Sequence, residues 1–187
     1  MKITETLYIK SRSEWRNWLK NNYKSKREIW LVFYNKASGK ISLSYEDAVE
    51  EALCFGWIDN IVKKNHQEFR VQRFTPRNPK SSYSQLNKER LKRLLKRKKV
   101  IASVRNAIGD LENEKFVFPK DIIEEIRKNK KAWKNFHKFS EAYKRIRIAF
   151  INSSRRRPDV FRQRLNYFIR MTEKNKQYGI NGIEKYL

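Results

Sequence analysis

The stretch from residue 54 to residue 99 constrains the fold more than any other part of the sequence. It contains a glycine after a helical segment, two strand-like runs separated by a polar turn, and a loop bracketed by two prolines. Gly56 suits the left-handed end of a helix, and the runs 57–62 and 69–74 are typical of a β-hairpin. A helix rich in lysine and arginine follows, so the N-terminal half of the chain must combine strands with helices.

The patterns on either side of this stretch complete the predicted architecture. A capping-box spacing opens a helix at 13–22, an apolar run predicts a buried strand at 28–34, and Ser44 caps the next helix. Ser82 is predicted to cap the helix after the proline loop. Apolar residues then recur at helical spacing to the end of the chain. We therefore predict an α+β fold with a small antiparallel sheet and helices in the N-terminal half, and an all-helical C-terminal half packed against it.

The chain length fits a single compact unit comprising residues 1–187, because a chain of this size can bury a sizeable core without cross-links. Within that unit we expect an α+β subdomain at 1–100 and a helical subdomain at 101–187. A sequence with one cysteine and no apolar leader is expected to be cytoplasmic. The two histidines and the cysteine are not spaced as metal ligands, so we expect neither a structural metal nor a cofactor.

The balance of charge indicates an anionic partner. Lysine and arginine number 45 against 20 acidic residues, which gives a net charge of +25. Residues 77–99 alone hold ten basic side chains and one acidic one. Nucleic acid or another polyanion would be attracted by such a surface. A compositional bias of the genome, with basic residues forming a merely solvated face, explains the same numbers.

The predicted hairpin offers a second kind of site. If the hairpin turns near His66, Asp59 faces Arg73 across the strand pair, because side chains alternate along strands. The two residues form a structural ion pair in one interpretation. In the other, they line a pocket with Trp57 and Tyr83, and the protein is an enzyme or a receptor for a small-molecule ligand.

The candidate residues for a ligand or an anion come from the hairpin, the proline loop and the basic helix. They are Trp57, Asp59, Arg73, Arg77, Lys80, Ser82, Tyr83, Lys88, Lys92 and Arg93. Peripheral binding to anionic membranes is a third interpretation of the basic helix. Apolar runs are far shorter than the ~20 residues that cross a bilayer, so integral membrane association is not expected.

Several blocks of sequence resemble the bacterial YdeI/OmpD-associated family, whose members are often labelled bacteriocin-protection proteins. They are ALCFGWID at 52–59, QRFTPR at 72–77, PKS at 79–81 and NKER at 87–90, with weaker matches in the C-terminal helices. The resemblance is strongest over residues 46–95. Asn60 and Tyr83 depart from the glycine and tryptophan common in the family. The resemblance implies a cytosolic, non-enzymatic protein of stress protection, and it carries over no catalytic residue.

Overall fold

The computed structural model describes residues 2–64 and 68–179 of the chain. His66, near which the hairpin was predicted to turn, lies outside the described residues. The strands are β1 (Thr6–Tyr8), β2 (Ile29–Tyr34), β3 (Trp57–Lys64) and β4 (Phe69–Pro76). The helices are α1 (Arg12–Asn22), α2 (Tyr45–Cys54), α3 (Gln85–Lys96), α4 (Ala102–Ile108), α5 (Lys120–Lys128), α6 (Lys130–Phe136), α7 (Glu141–Asn152) and α8 (Pro158–Glu173).

The chain divides into two compact units, and the described strands all lie in one of them. Residues 1–82 and 90–112 form the first unit, and residues 83–89 and 113–187 form the second. All four described strands belong to the first unit, and the elements described in the second are helices. The predicted α+β class is therefore confirmed. That the whole chain folds as one unit, with subdomains meeting near residue 100, stays a prediction.

The sheet has four strands in the order β1-β2-β4-β3. Strands β2, β4 and β3 pair in antiparallel fashion, whereas β1 pairs parallel to β2, with Thr6 opposite Trp30. The predicted antiparallel sheet is therefore present in β2, β4 and β3, and β1, which the sequence did not indicate, adds one parallel strand. Because β1 is only three residues long, it lacks the run of apolar residues that marks a strand in a sequence.

Tryptophan side chains join the sheet to the helices of the first unit. Trp15 of α1 is fully buried, lies 5.6 Å from the ring of Phe74, and donates its indole N–H to the carbonyl of Ala48 in α2 at 3.0 Å. Its helix begins as predicted, because the side chain of Ser11 accepts the N–H of Glu14. Helix α1 therefore contacts both the sheet and α2.

Gly56 makes the close approach between the start of β3 and α4 possible. Its φ of 72° confirms the predicted left-handed residue at the end of α2. A Cβ at this position would lie 3.1 Å from Cγ2 of Val104. The amide of Ile101 also donates to the carbonyl of Cys54 at 3.1 Å. The end of α2 is thus held against the segment that leads into α4.

The second unit has its own core, built from helices α5 to α8. Tyr143 and Phe168 are fully buried there, and the ring of Phe136 lies 6.1 Å from that of Phe168. Ser140 caps α7 by accepting the N–H of Tyr143, and Pro158 stands in the first turn of α8. The predicted all-helical character of the C-terminal half is therefore confirmed for the described residues.

Candidate anion-binding site

The predicted pair between Asp59 and Arg73 does not form. Asp59 stands opposite Phe74 in the strand register and accepts the hydroxyl of Tyr45 at 2.6 Å. Arg73 points to the other face of the sheet, where its Nε donates to Glu28 at 2.6 Å. The prediction was wrong because the register differs by one residue, and such a shift moves every side chain to the opposite face.

Trp57, the third hairpin residue of the predicted pocket, is part of the protein core. Trp57 is 1% exposed, and its indole N–H donates to the carbonyl of Tyr23 at 3.1 Å. The pKa of Tyr45 is raised mainly because the hydroxyl is buried, and secondly because it donates a hydrogen bond to Asp59. The hydrogen bond from Thr4, followed by that from Arg73, lowers the pKa of Glu28. Asp59 and Arg73 therefore belong to separate contacts on opposite faces.

The proline loop is shorter than predicted and is held by its own backbone. Strand β4 continues to Pro76, which was assigned to the loop, because the missing proline N–H is tolerated at the end of a strand. The guanidinium of Arg77 donates to the carbonyls of Asn78 and Ser81. Lys80 is exposed, and its amide donates to the side chain of Asn78 at 2.9 Å. Of the two predicted basic residues, Lys80 thus presents its charge to solvent.

Helix α3 begins two residues later than the sequence indicated. Ser84, and not the exposed Ser82, caps it by accepting the amide of Asn87 at 3.3 Å. Both serines stand within a plausible capping pattern, so the local sequence does not distinguish them. The half-buried Tyr83 precedes the cap, and Lys88 forms an ion pair with Glu114.

The arginines of α3 are neutralised by the glutamates of α2. Arg90, whose side chain is 6% exposed, contacts Glu46 at 2.6 Å. Arg93 contacts Glu50, a carboxylate that is almost fully buried. The side chain of Lys92 is half-buried on the same helix. Arg93, proposed from the sequence as an anion ligand, therefore already has an anion within the fold.

Two arginines of α1 complete this ionic network from the other side. Arg12 contacts Asp47 at 2.8 Å, Glu50 at 3.0 Å and Glu51 at 2.5 Å. Arg16 contacts Glu51 at 2.6 Å. Burial opposes the charge of Arg16, but the hydrogen bond and the charge of Glu51 outweigh it, so the pKa of Arg16 is raised. Burying these charges costs solvation free energy, and the ion pairs offset that cost. Because its arginines already pair with carboxylates, the network leaves them unavailable to a binding partner.

The sequence carried a signal for this network that charge counting overlooks. Arg12 and Arg16 are four residues apart on α1, and Arg90 and Arg93 are three apart on α3. Each pair therefore lies on one face of its helix. Helix α2 carries carboxylates at 46, 47, 50 and 51, with the same spacing of three and four. Matching spacings of opposite charge predict ion pairs between helices.

Beyond these pairs, α3 ends in an exposed group of basic residues that we call the α3 basic cluster: Lys96, Arg97 and Lys98. All three are exposed, and none forms an ion pair with another described residue. The amides of Lys98 and Lys99 return to the carbonyls of Leu95 and Leu94 at 2.8 and 3.0 Å, which is the Schellman arrangement of a helix end. The cluster is thus fixed on a defined turn.

Lys98 adopts an unusual backbone conformation within that turn. Its φ is 54°, in the left-handed region that glycine usually occupies at this position. A side chain there costs conformational energy. A lysine therefore stands where a glycine would be less strained.

These features define a class of protein, a strongly basic α+β chain. The arginines within its helix α3 pair with glutamates of the fold, and the basic residues at the end of α3 are exposed. Among the described residues, no group of three or more His, Cys, Asp or Glu side chains is arranged to hold a metal ion. In the part of the chain that the structure describes, no helix has the length and apolar character needed to cross a membrane.

The chain belongs to the family described as a domain of unknown function (DUF8412), whose model matches residues 7–107. Residues 115–175 match a second family model, described as bacteriocin-protection, YdeI or OmpD-associated. The predicted resemblance is therefore confirmed, although the match lies beyond the motifs at 46–95 that suggested it. The curated proteins and the solved structures that were compared with the chain gave no match.

Proposed function

We propose that this is a bacteriocin-protection-type protein of the cytoplasm that acts without catalysis, by binding a polyanion such as nucleic acid through the α3 basic cluster and neighbouring exposed lysines. The description of the family matched at 115–175 supports the protective role. The single cysteine, a buried free thiol, is compatible with a reducing compartment.

The observation that carries the proposal is the division of charge along α3. The helix and its C-terminal turn contain basic residues of two kinds. Arg90 and Arg93 are paired with glutamates of α2, so they contribute to folding. Lys96, Arg97 and Lys98 are exposed on consecutive positions, where a phosphate backbone can approach them. Salt-dependent binding to phosphates requires cations of the second kind.

Two other interpretations receive less support. A ligand pocket around Trp57, Asp59 and Arg73 would require side chains that are buried, or that lie on opposite faces of the sheet. Insertion of α3 into an anionic membrane would require its leucines, but Leu91 and Leu94 are buried in the core. Electrostatic attraction to a polyanion needs neither rearrangement.

The test is the salt dependence of binding to a short labelled DNA duplex, measured by fluorescence anisotropy. We expect log K to fall linearly with log salt concentration for the wild-type protein. Lys96→Gln/Arg97→Gln should weaken binding and reduce the slope by about 0.9 per lost phosphate contact. Arg93 is left intact, because replacing it would remove one of the two arginines that pair with the buried carboxylate of Glu50.

A matched control separates the cluster from net charge. Lys24→Gln/Arg27→Gln removes the same two charges from exposed positions of the same unit, and we expect it to retain the wild-type slope. If the control weakens binding as much as the cluster variant, the charge acts diffusely and the assigned surface is wrong. If the wild-type protein does not bind DNA or heparin at low salt, the polyanion proposal fails.

A further inference from the structure

A cavity of about 250 Å³ lies within the second unit, between the start of α3 and the C-terminal half of α7. Ser84, Gln85 and Leu86 line it from α3, and Arg147 and Phe150 line it from α7. The volume is below the ~300–1,000 Å³ of pockets for drug-sized ligands, so an occupant must be small. This cavity shares no residue with the α3 basic cluster.

Arg147 is the unusual member of the cavity wall. The residue is 2% exposed, yet its Nε and Nη2 donate no hydrogen bond. Its guanidinium carbon lies 4.5 Å from the ring centre of Tyr178, 5.7 Å from that of Phe150 and 5.8 Å from that of Tyr143. Aromatic rings surround the cation, and no carboxylate forms an ion pair with it among the described residues.

The aromatic rings offset only part of the free-energy cost of burying the Arg147 guanidinium. Ring faces attract the positive charge, but they do not replace the hydrogen-bond acceptors that N–H groups lose when they leave water. Other buried arginines in this protein have acceptors, as Arg90 has Glu46. Nε and Nη2 of Arg147 therefore lack an acceptor, and the residue borders a cavity in which one can bind.

The start of α3 adds a second preference for an anion. The first N–H groups of a helix have no partner within the helix, and they carry the positive end of its dipole. Gln85 and Leu86 hold two of these groups, and both residues line the cavity. A guanidinium and a helix N-terminus thus border the same space.

The rest of the wall defines the body of the ligand. Leu86, Ile146, Ala149 and Phe150 make most of it apolar. One cation with an apolar wall compensates a single negative charge better than the double charge of a phosphate, because each uncompensated charge is costly to bury. Arginine also matches a carboxylate in a two-point arrangement.

We propose that this cavity binds a small monocarboxylate with an apolar body, whose carboxylate accepts hydrogen bonds from Arg147. Both unpartnered donors are buried, so a side chain of the wall must move during binding. Phe150 is the half-buried aromatic residue of the wall, and its ring centre lies 5.7 Å from the guanidinium carbon.

The probe is benzoate, titrated into the full-length protein and followed by two-dimensional NMR, with benzamide as its neutral match and inorganic phosphate as a second anion. We expect saturable shifts of amides in the first turn of α3 and in α7 with benzoate only. Arg147→Met should weaken benzoate at least about tenfold, the loss of one charge-assisted hydrogen bond. Arg170→Met, which removes an exposed arginine of the same unit, should bind as the wild type does.

A second variant keeps the proposal testable if Arg147→Met does not fold. Ala149→Phe fills the cavity and leaves Arg147 in place, and we expect it to abolish benzoate binding. If wild-type protein does not bind benzoate, or if Arg147→Met or Ala149→Phe binds it unchanged, the proposal is overturned. If benzamide binds as tightly as benzoate, or if phosphate binds more tightly, the cavity does not select a monocarboxylate and the proposal is overturned.

Discussion

At the scale of single residues, the informative positions are those where a side chain departs from the expected choice. Lys98 occupies a left-handed position that glycine fills more easily. Arg147 is buried with two unpartnered donors. Each departure lowers stability locally, and each lies at a surface or a cavity to which we assign binding. Stability lost at functional positions is a common feature of proteins.

Replacement of Lys98 by glycine should stabilise the fold. Relief of the left-handed strain stabilises the fold by about 1–2 kcal/mol. The greater freedom of glycine in the unfolded chain destabilises it by about 0.4–1 kcal/mol. We expect the free energy of unfolding to rise by roughly 0.5–1 kcal/mol, measured by urea denaturation. Asn175→Gly is the control, because asparagine at its φ of 52° is already tolerated and the gain should be smaller. Equal or lower stability of Lys98→Gly would contradict the assignment of strain.

Cys54 should make stability depend on alkaline pH. Burial, assisted by the charge of Glu51, raises the pKa of the Cys54 thiol from 9.0 to about 11. The unfolded thiol therefore ionises before the native one, and this contribution to stability is lost as pH rises from about 9 to about 11. Urea denaturation across that range should show a steeper decline for the wild type than for Cys54→Ala. Parallel curves would mean that the native thiol is accessible to solvent.

At the scale of elements, helix α2 is the organising helix of the first unit. Its N-terminus is capped by Ser44 as predicted, and its apolar side packs into the core. Its acidic side collects four arginines, two from α1 and two from α3. The apolar side was predictable from spacing. The acidic side was not predicted, because the number of charges on α3 does not indicate which helix those charges face.

Neutralising the centre of this network should be costly. Glu51 is fully buried and accepts from Arg12 and Arg16, so Glu51→Gln removes the carboxylate that pairs with Arg16 and one of the three that pair with Arg12. We expect a loss of about 3 kcal/mol in the free energy of unfolding. Glu125→Gln disrupts an exposed pair with Lys128 and should cost less than about 1 kcal/mol. Similar losses in the two variants, measured in urea, would show that the network contributes little.

The hairpin marks the limit of sequence reasoning about elements. Both strands were predicted, but the bulge between Asp59 and Val62 was not. Alternation assigns residues to faces only relative to one another, and it needs a fixed register to decide which face is buried. That is why Asp59 and Arg73 were predicted together and lie apart.

At the scale of the whole molecule, the class of fold was readable and the use of charge was not. Strand signals end before residue 80 and helical spacing follows, which predicts the separation of sheet and helices. A net charge of +25 shows only that basic residues outnumber acidic ones. Its location depends on which cations the fold neutralises, as with Arg90 and Glu46. The cavity beside Arg147 likewise joins residues more than 60 positions apart, so no local pattern reveals it.

The order of the sheet has a consequence for synthesis on the ribosome. The apolar strand β2 needs β4 as its antiparallel neighbour, but residues 35–68 must be translated between them. At about 5–20 residues per second, this delay lasts roughly 2–7 seconds. During that interval Ile29, Trp30 and Leu31 have only β1 as a strand partner. The nascent chain therefore presents an open apolar edge that a chaperone can cover before the hairpin arrives.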